Sequence, residues 1–135
     1  MPVDYTCDGR GISFPLVWSN APLGTREYAL LMTTLPGDGT TKWNWVLYGI
    51  PSSVSSLQPD SRAIGTAGVG SDGPLVGYQS PCSQGPGLKL YTFTIYALSS
   101  SPTVTGQVTG AVLSNAIKPL TLATASLTVG YTRPR

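Results

Sequence analysis

The sequence predicts a mainly β fold that forms a single domain over residues 1–135. Short apolar segments of strand length alternate with turn residues, because 16 glycines and 12 prolines are spread along the chain without a period. Apolar residues make up 41% of the chain and charged residues only 10%, a balance that excludes a disordered polymer. A chain of 135 residues is also long enough to bury one hydrophobic core.

Two apolar runs in the first half of the chain are predicted to be core strands. Residues 26–33 precede the turn sequence Pro-Gly-Asp-Gly at 36–39, as expected of a buried strand followed by a turn. Residues 43–50 are aromatic and β-branched and end at Pro51, which lacks the N–H that a central strand requires. Residues 52–88 then form a long connection rich in Ser, Gly and Pro, and connections of this length usually carry function.

The second half predicts two further strands and one helix. Residues 91–98 alternate large apolar and small polar side chains, the period of a strand packed on one face. Thr109 is predicted to cap a helix over residues 110–117, which ends before Pro119. Residues 120–131 return to β-branched alternation, and we expect them to close the sheet as its last strand.

The residue inventory excludes several chemistries. The chain contains no histidine, so the usual hydrolase triads and zinc sites lack their central residue. Its two cysteines, Cys7 and Cys82, have no Cys-x-x-Cys spacing that would indicate a metal or redox site. We therefore predict no metal and no cofactor.

Charge and hydropathy limit the partners and the location. The eight basic residues are scattered and the net charge is only +2, so nucleic acid is not an expected partner. No segment approaches the roughly 20 apolar residues that cross a bilayer, and integral membrane association is not expected. Residues 1–15 lack the pattern of a signal peptide, which favours the cytoplasm, or secretion if a signal peptide has been removed.

Five sequence segments carry a family resemblance. They are Phe-Pro-Leu-Val-Trp at 14–18, Ala-Pro-Leu-Gly-Thr at 21–25, Trp-Asn-Trp-Val-Leu-Tyr-Gly-Ile-Pro at 43–51, Gly-Tyr-Gln-Ser-Pro-Cys at 77–82 and Tyr-Thr-Phe-Thr-Ile-Tyr-Ala-Leu at 91–98. Their order and spacing resemble the bacterial and archaeal, Raf kinase inhibitor-like branch of the phosphatidylethanolamine-binding protein family. The resemblance implies a Greek-key β-sandwich with one or two short helices.

The chain departs from the family at the anion pocket. The resemblance implies a pocket built from an Asp-Pro-Asp segment, a strand histidine and a Gly-x-His-Arg-Tyr segment. Thr34-Leu35-Pro36 stands in the first place, Asn44 in the second and Lys89-Leu90-Tyr91 in the third. Thr and Asn are fixed neutral donors and acceptors, so the remodelled pocket suits a neutral or weakly polar ligand.

Eight residues form the ligand-binding site that the resemblance implies. Asn44 is expected to orient the ligand, although an amide satisfied by backbone groups is the alternative, and Lys89 is either a cation at the pocket mouth or a solvated loop lysine. Tyr78 and Tyr91 are either pocket walls or core residues. Trp45 is expected in the core, with Trp43 on the opposite side of the strand. The predicted site comprises Thr34, Pro36, Trp43, Asn44, Tyr78, Pro81, Lys89 and Tyr91.

Three functions remain open at this point. The first is binding of a small molecule, the second is an isomerase or cyclase of secondary metabolism that uses the same pocket, and the third is an interaction module that inhibits a kinase or protease. The catalytic residues, and whether the chain is an enzyme at all, stay undetermined. The expected partner is a small-molecule ligand, and a homodimer remains open. We expect the segments of Cys7 and Cys82 to approach each other near the pocket rim, and the two residues are either a disulfide or two free thiols.

Overall fold

A computed structural model describes residues 1–35, 40–71, 76–82 and 87–133. The predicted turn at 36–39, with Pro36 of the predicted site, lies outside these residues. The described strands are β1 (Leu16–Val17), β2 (Glu27–Thr34), β3 (Lys42–Pro51), β4 (Ser56–Leu57), β5 (Thr66–Ala67), β6 (Leu88–Leu98) and β7 (Thr121–Thr132). The helix α1 spans Gly110–Ile117, and short 3-10 helices span Val3–Tyr5 and Lys118–Leu120.

The strands form two antiparallel sheets, which confirms the predicted mainly β fold. The larger sheet has the order β5-β3-β2-β6-β7, and the smaller one pairs β1 with β4. Strand β2 is central because it pairs with β3 on one side and β6 on the other. The strands predicted at 26–33, 43–50, 91–98 and 120–131 correspond to β2, β3, β6 and β7. The connection predicted at 52–88 is not wholly irregular, because it contains β4 and β5.

Apolar side chains cover both faces of the larger sheet. On the front face, Leu30, Met32 and Phe93 belong to a buried cluster against which Phe14 and Trp18 of the N-terminal segment pack. On the back face, alternate residues of the same strands pack against helix α1. The back cluster contains Ala29, Leu31, Val46, Leu98, Val108, Leu113 and Ile117.

A β-bulge at Asn44 sets the orientation of the β3 aromatic residues. Met32 pairs with Trp45 and Thr33 pairs with Trp43, so Asn44 has no counterpart on β2. In a regular strand Trp43 and Trp45 would share a face, but the extra residue places Trp45 in the front cluster and Trp43 against the back cluster. The prediction that Trp45 lies in the core is confirmed, since it is 2% exposed.

Helix α1 occupies the residues that the sequence predicted. The Thr109 side chain accepts a hydrogen bond from the Val112 N–H, as an N-cap does, and helical residues end at Ile117. The first helical residue, Gly110, lies against the Trp43 ring, where a Cβ atom would come within 2.1 Å of a ring carbon. The absence of a side chain at Gly110 therefore permits the close approach of the helix to β3.

Candidate functional site

A hydrogen-bonded polar cluster occupies one end of the front face. The Thr34 hydroxyl donates to Asn44 Oδ1 at 2.5 Å, and Asn44 Nδ2 donates to the Gln79 carbonyl oxygen at 3.1 Å. The Gln79 N–H in turn donates to the Asn44 carbonyl oxygen at 2.7 Å. Asn44 is 1% exposed, so these bonds satisfy an amide that burial would otherwise leave without partners.

Two tyrosines extend this cluster along the strands. The Tyr78 hydroxyl donates to the Tyr5 carbonyl oxygen at 2.8 Å, and its ring meets Trp45 edge to face. Tyr91 pairs with Thr34 in the sheet and is 3% exposed, yet its hydroxyl forms no hydrogen bond with any residue that the structure describes. We call this region, which carries Thr34, Tyr78 and Tyr91, the tyrosine end of the sheet.

Burial keeps both tyrosine hydroxyls protonated. Desolvation raises the pKa of Tyr78, and the neighbouring Tyr91 and Tyr5 raise it further. Desolvation also raises the pKa of Tyr91, with a smaller contribution from Tyr131. At neutral pH both groups are therefore neutral donors and acceptors, and neither is poised to act as a base.

Charged groups lie at the border of the tyrosine end. The Tyr131 hydroxyl donates to Asp8 Oδ2 at 2.5 Å, and Arg133 Nε donates to Asp8 Oδ1 at 3.1 Å. The hydrogen bond from Tyr131 lowers the pKa of Asp8 most, desolvation opposes it, and the hydrogen bond and positive charge of Arg133 lower it further. The same bond raises the pKa of Tyr131. Both carboxylate oxygens of Asp8 therefore already accept hydrogen bonds, from Tyr131 and Arg133.

The N-terminal segment is fastened over this region by a disulfide. Cys7 and Cys82 are bonded, with 5.4 Å between their Cα atoms, which decides between the two alternatives that the sequence left open. The Cys7 N–H also donates to the carbonyl oxygen of Pro81 at 3.1 Å. The N-terminal ammonium group of Met1 donates to the Gly130 carbonyl oxygen at 2.8 Å, so a second attachment reaches β7.

The structure brings together most of the predicted site but not all of it. Thr34, Asn44 and Tyr91 are neighbours, and buried Pro81 accompanies Tyr78 in the adjoining segment. Trp43 does not join them, because the bulge turns its ring to the back face.

Lys89 requires a second correction. It is the second residue of β6, half-buried and paired in register with Tyr131, rather than a solvated loop lysine. Lys89 precedes Tyr91 by two residues on β6 and therefore lies at the border of the tyrosine end. Because residues two apart on a strand share a face, Lys89 lies on the same face of the sheet as Tyr91.

A cavity of about 350 Å³ adjoins the tyrosine end. Tyr78 and Trp45 form one wall, and residues 11–13 and part of the segment 60–65 form the others. A volume of this size is within the range of about 300–1,000 Å³ that is usual for small-molecule sites. The cavity therefore gives a small molecule access to the Tyr78 side of the region.

Several residues of this region escaped sequence reasoning. Gln79 is buried and bonded to Asn44, but an isolated glutamine in a Ser- and Gly-rich segment carries no distinguishing signal. Tyr131 is the residue that the pattern could have revealed, because β6 and β7 both alternate and their register brings it to the front face. Asp8 would have followed from the disulfide, since it comes directly after Cys7.

Two kinds of feature are absent from the described residues. Across residues 1–35, 40–71, 76–82 and 87–133, no three side chains of His, Cys, Asp or Glu converge as metal ligands. Within the same ranges no helix has both the length and the apolar character needed to span a membrane.

Comparison with known sequences gives matches over most of the chain. The sequence profile of a family described as phosphatidylethanolamine-binding protein matches residues 1–132. A UPF0098 protein of Aquifex aeolicus is 36% identical over 104 residues, which are 73% of this chain and 61% of that protein, so less than two thirds of its length is spanned. A UPF0098 protein of Chlamydia muridarum is 32% identical over 139 residues, covering 97% of this chain and 89% of that protein.

Solved structures show the same architecture. A crystal structure of a phosphatidylethanolamine-binding protein homolog from Chlamydia trachomatis matches with a TM-score of 0.90 and 27% identity, over 98% of this chain and 89% of that one. The structure of E. coli YbcL, described as a member of the mammalian PEBP family, matches with a TM-score of 0.83 and 26% identity, over 95% of this chain and 84% of that one. The likeness in each case extends over nearly the whole chain.

Proposed function

The chain belongs to the phosphatidylethanolamine-binding protein family, and from that premise we propose that it binds an uncharged or weakly polar small molecule at the tyrosine end of its sheet. The proposed contacts come from Tyr91 and Tyr78, with Thr34 and Asn44 holding the surrounding backbone in place. Pro81 and Lys89 would border the ligand. The observation that carries the proposal is the Tyr91 hydroxyl, which belongs to a residue only 3% exposed, keeps some contact with solvent, and has no hydrogen-bond partner among the described residues.

A hydroxyl in that state favours a polar ligand atom beside it. A ligand that displaces water from this hydroxyl must offer it a partner, because an unpaired polar group that loses its water is costly. The Tyr78 and Asn44 side chains already have protein partners, so they fix the geometry around Tyr91 without competing for its hydroxyl. A carbonyl, amide or alcohol oxygen of a ligand would complete the network.

The neutral side chains of Thr34, Asn44, Tyr78 and Tyr91 favour an uncharged ligand over an anion in this proposal. Thr34 and Asn44 do not titrate, and the raised pKa values of Tyr78 and Tyr91 keep both hydroxyls protonated. The chain also has no histidine. Binding should therefore be constant between pH 5 and pH 8, whereas a histidine-lined pocket would change its charge in that interval.

Matched pairs of charged and neutral probes test the proposal. In a two-dimensional amide NMR titration, acetate is compared with acetamide, and inorganic phosphate with trimethyl phosphate. We expect the neutral member of each pair to shift amide resonances of residues 77–82 and 88–91 at lower concentration than its anion. A stronger response to phosphate or acetate at those amides would contradict the proposal.

Two tyrosine variants provide the control. Tyr91→Phe removes the unpaired hydroxyl and should weaken acetamide binding about fivefold, the equivalent of one hydrogen bond worth about 1 kcal/mol. Tyr96→Phe removes a hydroxyl from the back-face side of the same strand and should leave binding unchanged. Equal binding by the two variants would exclude Tyr91 as a contact.

The isomerase or cyclase alternative uses the same hydroxyls in a different role. Because burial raises their pKa values, Tyr78 and Tyr91 could polarise a carbonyl by donating a hydrogen bond but could not remove a proton at neutral pH. Turnover of a bound carbonyl compound that is lost in Tyr91→Phe and kept in Tyr96→Phe would favour the enzyme over a binding protein.

The disulfide bears on the location of the protein. Structural disulfides persist in oxidising compartments and are rare in the cytosol of mesophiles. We propose that the chain works in an oxidising compartment, in place of the cytoplasmic location expected from its first residues. Trapping of thiols with a maleimide in intact cells should leave Cys7 and Cys82 unlabelled. Labelling of both would instead indicate that the protein works in a reducing compartment.

A further inference from the structure

A second cavity lies on the front face, further along the strands than the tyrosine end. It has a volume of about 420 Å³ and is bounded by residues 15–22, by the front sides of β6 and β7, and by Leu30 on the sheet. It begins at Phe93, two residues beyond Tyr91 on β6. We call it the alanine groove, because Ala97, Ala123 and Ala125 form its recessed wall.

The recess follows from where small side chains fall in the sheet. Ala97 pairs with Ala123, and Ala125 pairs with Ile95, so three alanines are neighbours on one face of two adjacent strands. Elsewhere on the same face large aromatic side chains fill the space, as where Phe14 stacks on Phe93 with 4.9 Å between ring centroids. An alanine cluster beside such residues leaves a hollow that larger side chains would have filled.

Two polar groups in the wall of this hollow lack partners. The indole Nε1 of Trp18 is inaccessible to solvent and has no hydrogen-bond acceptor in the structure. The Tyr28 hydroxyl forms no hydrogen bond with the residues described, although Tyr28 is only 6% exposed and its ring contacts Trp18 edge to face. Both groups are donors, and none of the side chains that bound the groove is charged.

From the recess and the unpaired donors, we propose that the alanine groove binds an uncharged, mainly apolar small molecule that carries one hydrogen-bond acceptor. The alanines and Leu30 contact its hydrocarbon part, and its acceptor oxygen lies toward the Tyr28 hydroxyl, which unlike Trp18 Nε1 is not closed to solvent. The volume admits a molecule of drug-like size. This site does not depend on ligand binding at the tyrosine end, because none of the residues proposed to bind there borders it.

An isosteric pair of probes tests the inference. Benzophenone carries a carbonyl oxygen where 1,1-diphenylethylene carries a methylene group, and the two otherwise have the same shape. We expect benzophenone to shift amide resonances of residues 15–22 and 123–127 and to bind about 3 to 10 times more tightly than 1,1-diphenylethylene, the difference that one hydrogen bond makes. Equal binding of the two probes would overturn the assigned role of the donors.

Variants on the two sides of β7 locate the site. Ala125→Leu fills the recess and should reduce benzophenone affinity at least tenfold, while Thr128→Leu, on the opposite side of the strand, should leave the affinity unchanged. Both positions are on an edge strand, Ala125 is exposed, and Thr128 is paired with Thr92. The variant Tyr28→Phe, which removes the accessible donor, should bind both probes with equal affinity.

A measurement on the unaltered chain keeps the test independent of folding in the variants. Irradiated benzophenone inserts into nearby C–H bonds, and peptide mapping then identifies the labelled residues. Labels within residues 15–30 and 93–97 or 123–127 support the groove. Labels confined to residues 77–82 and 88–91 would overturn it and would leave the proposed function at the tyrosine end intact.

Discussion

At the scale of single residues, the front face depends on how buried polar atoms are satisfied. Asn44 is almost completely buried, yet its side chain both accepts and donates a hydrogen bond, and its main chain accepts a third. The bulge makes this possible, because an extra residue on β3 frees Asn44 from regular pairing and directs its amide toward Thr34. Asn44 therefore positions the site even where it does not touch a ligand.

Replacement of Asn44 by alanine should be strongly destabilising. The change leaves the Thr34 hydroxyl without its acceptor and the Gln79 carbonyl oxygen without its donor, and we expect the free energy of unfolding to fall by about 2–4 kcal/mol. Asn115→Ala, at an exposed position within α1, is the matched control and should change stability by less than about 0.5 kcal/mol. Chemical denaturation measures both, and equal losses would contradict the assigned role of the network.

Tyr78 predicts how stability responds to alkaline pH. Its pKa is raised in the folded chain, so an unfolded chain releases the proton first as the pH rises above about 10. Its contribution to stability is fully present below that pH and is lost as the pH rises toward the folded-state pKa. Tyr78→Phe should therefore be less stable than the parent at neutral pH, through loss of the bond to Tyr5, but should lose less stability above pH 10. Parallel pH profiles of the two proteins would exclude this account.

At the scale of elements, the sequence predicted what alternation and capping determine. Four strands and the Thr109-capped helix are where the patterns placed them, because side-chain period and cap chemistry act locally. The prediction that Trp43 and Trp45 lie on opposite sides of the strand is correct, but the reason for it could not be seen in the sequence. Residues two apart share a strand face, and only the bulge at Asn44, which arises from pairing with β2, separates Trp43 from Trp45.

The candidate site was less predictable than the fold. The resemblance led to Thr34, Asn44 and Tyr91, which do meet, because they belong to adjacent strands whose order the family defines. It did not reveal Gln79, Tyr131 or Asp8, because their proximity depends on a disulfide and on a strand register that single-sequence patterns leave undetermined. The alanine groove was likewise hidden, since three small residues form a hollow only once Ala97 and Ala123 are paired.

Gly110 is the element-scale position most sensitive to added volume. A Cβ atom at this residue would lie 2.1 Å from a Trp43 ring carbon, so Gly110→Ala must displace either the helix or the ring. We expect a loss of about 1–3 kcal/mol from overpacking, although alanine favours helix over glycine by up to about 1 kcal/mol. In a Trp43→Ala background the same change should be neutral or stabilising. An equal loss in both backgrounds, measured by thermal denaturation, would show that the ring contact is not the cause.

At the scale of the whole molecule, the N-terminal segment joins parts of the fold that are distant in sequence. Cys7 is bonded to Cys82, Asp8 to the side chains of Tyr131 and Arg133, and the Met1 amino group to the backbone of β7. The same segment supplies the Tyr5 carbonyl that holds Tyr78. The tyrosine end is therefore assembled from the beginning, the middle and the end of the chain, and the disulfide is its covalent tie.

Loss of that disulfide should affect both stability and the proposed site. The bond spans a sequence separation of 75 residues, and removal of a native disulfide typically costs about 2–5 kcal/mol because the unfolded chain gains freedom. Reduction with dithiothreitol should lower the thermal midpoint of the parent and leave that of a Cys7→Ser, Cys82→Ser variant unchanged. The reduced protein should also lose amide protection from hydrogen exchange first in residues 3–8 and 77–82, since these segments are held to each other by the bond between Cys7 and Pro81 and by that between Tyr78 and Tyr5. If reduction leaves both the midpoint and this protection unaltered, the noncovalent contacts alone hold the segment in place and the disulfide is not the element that organises the tyrosine end.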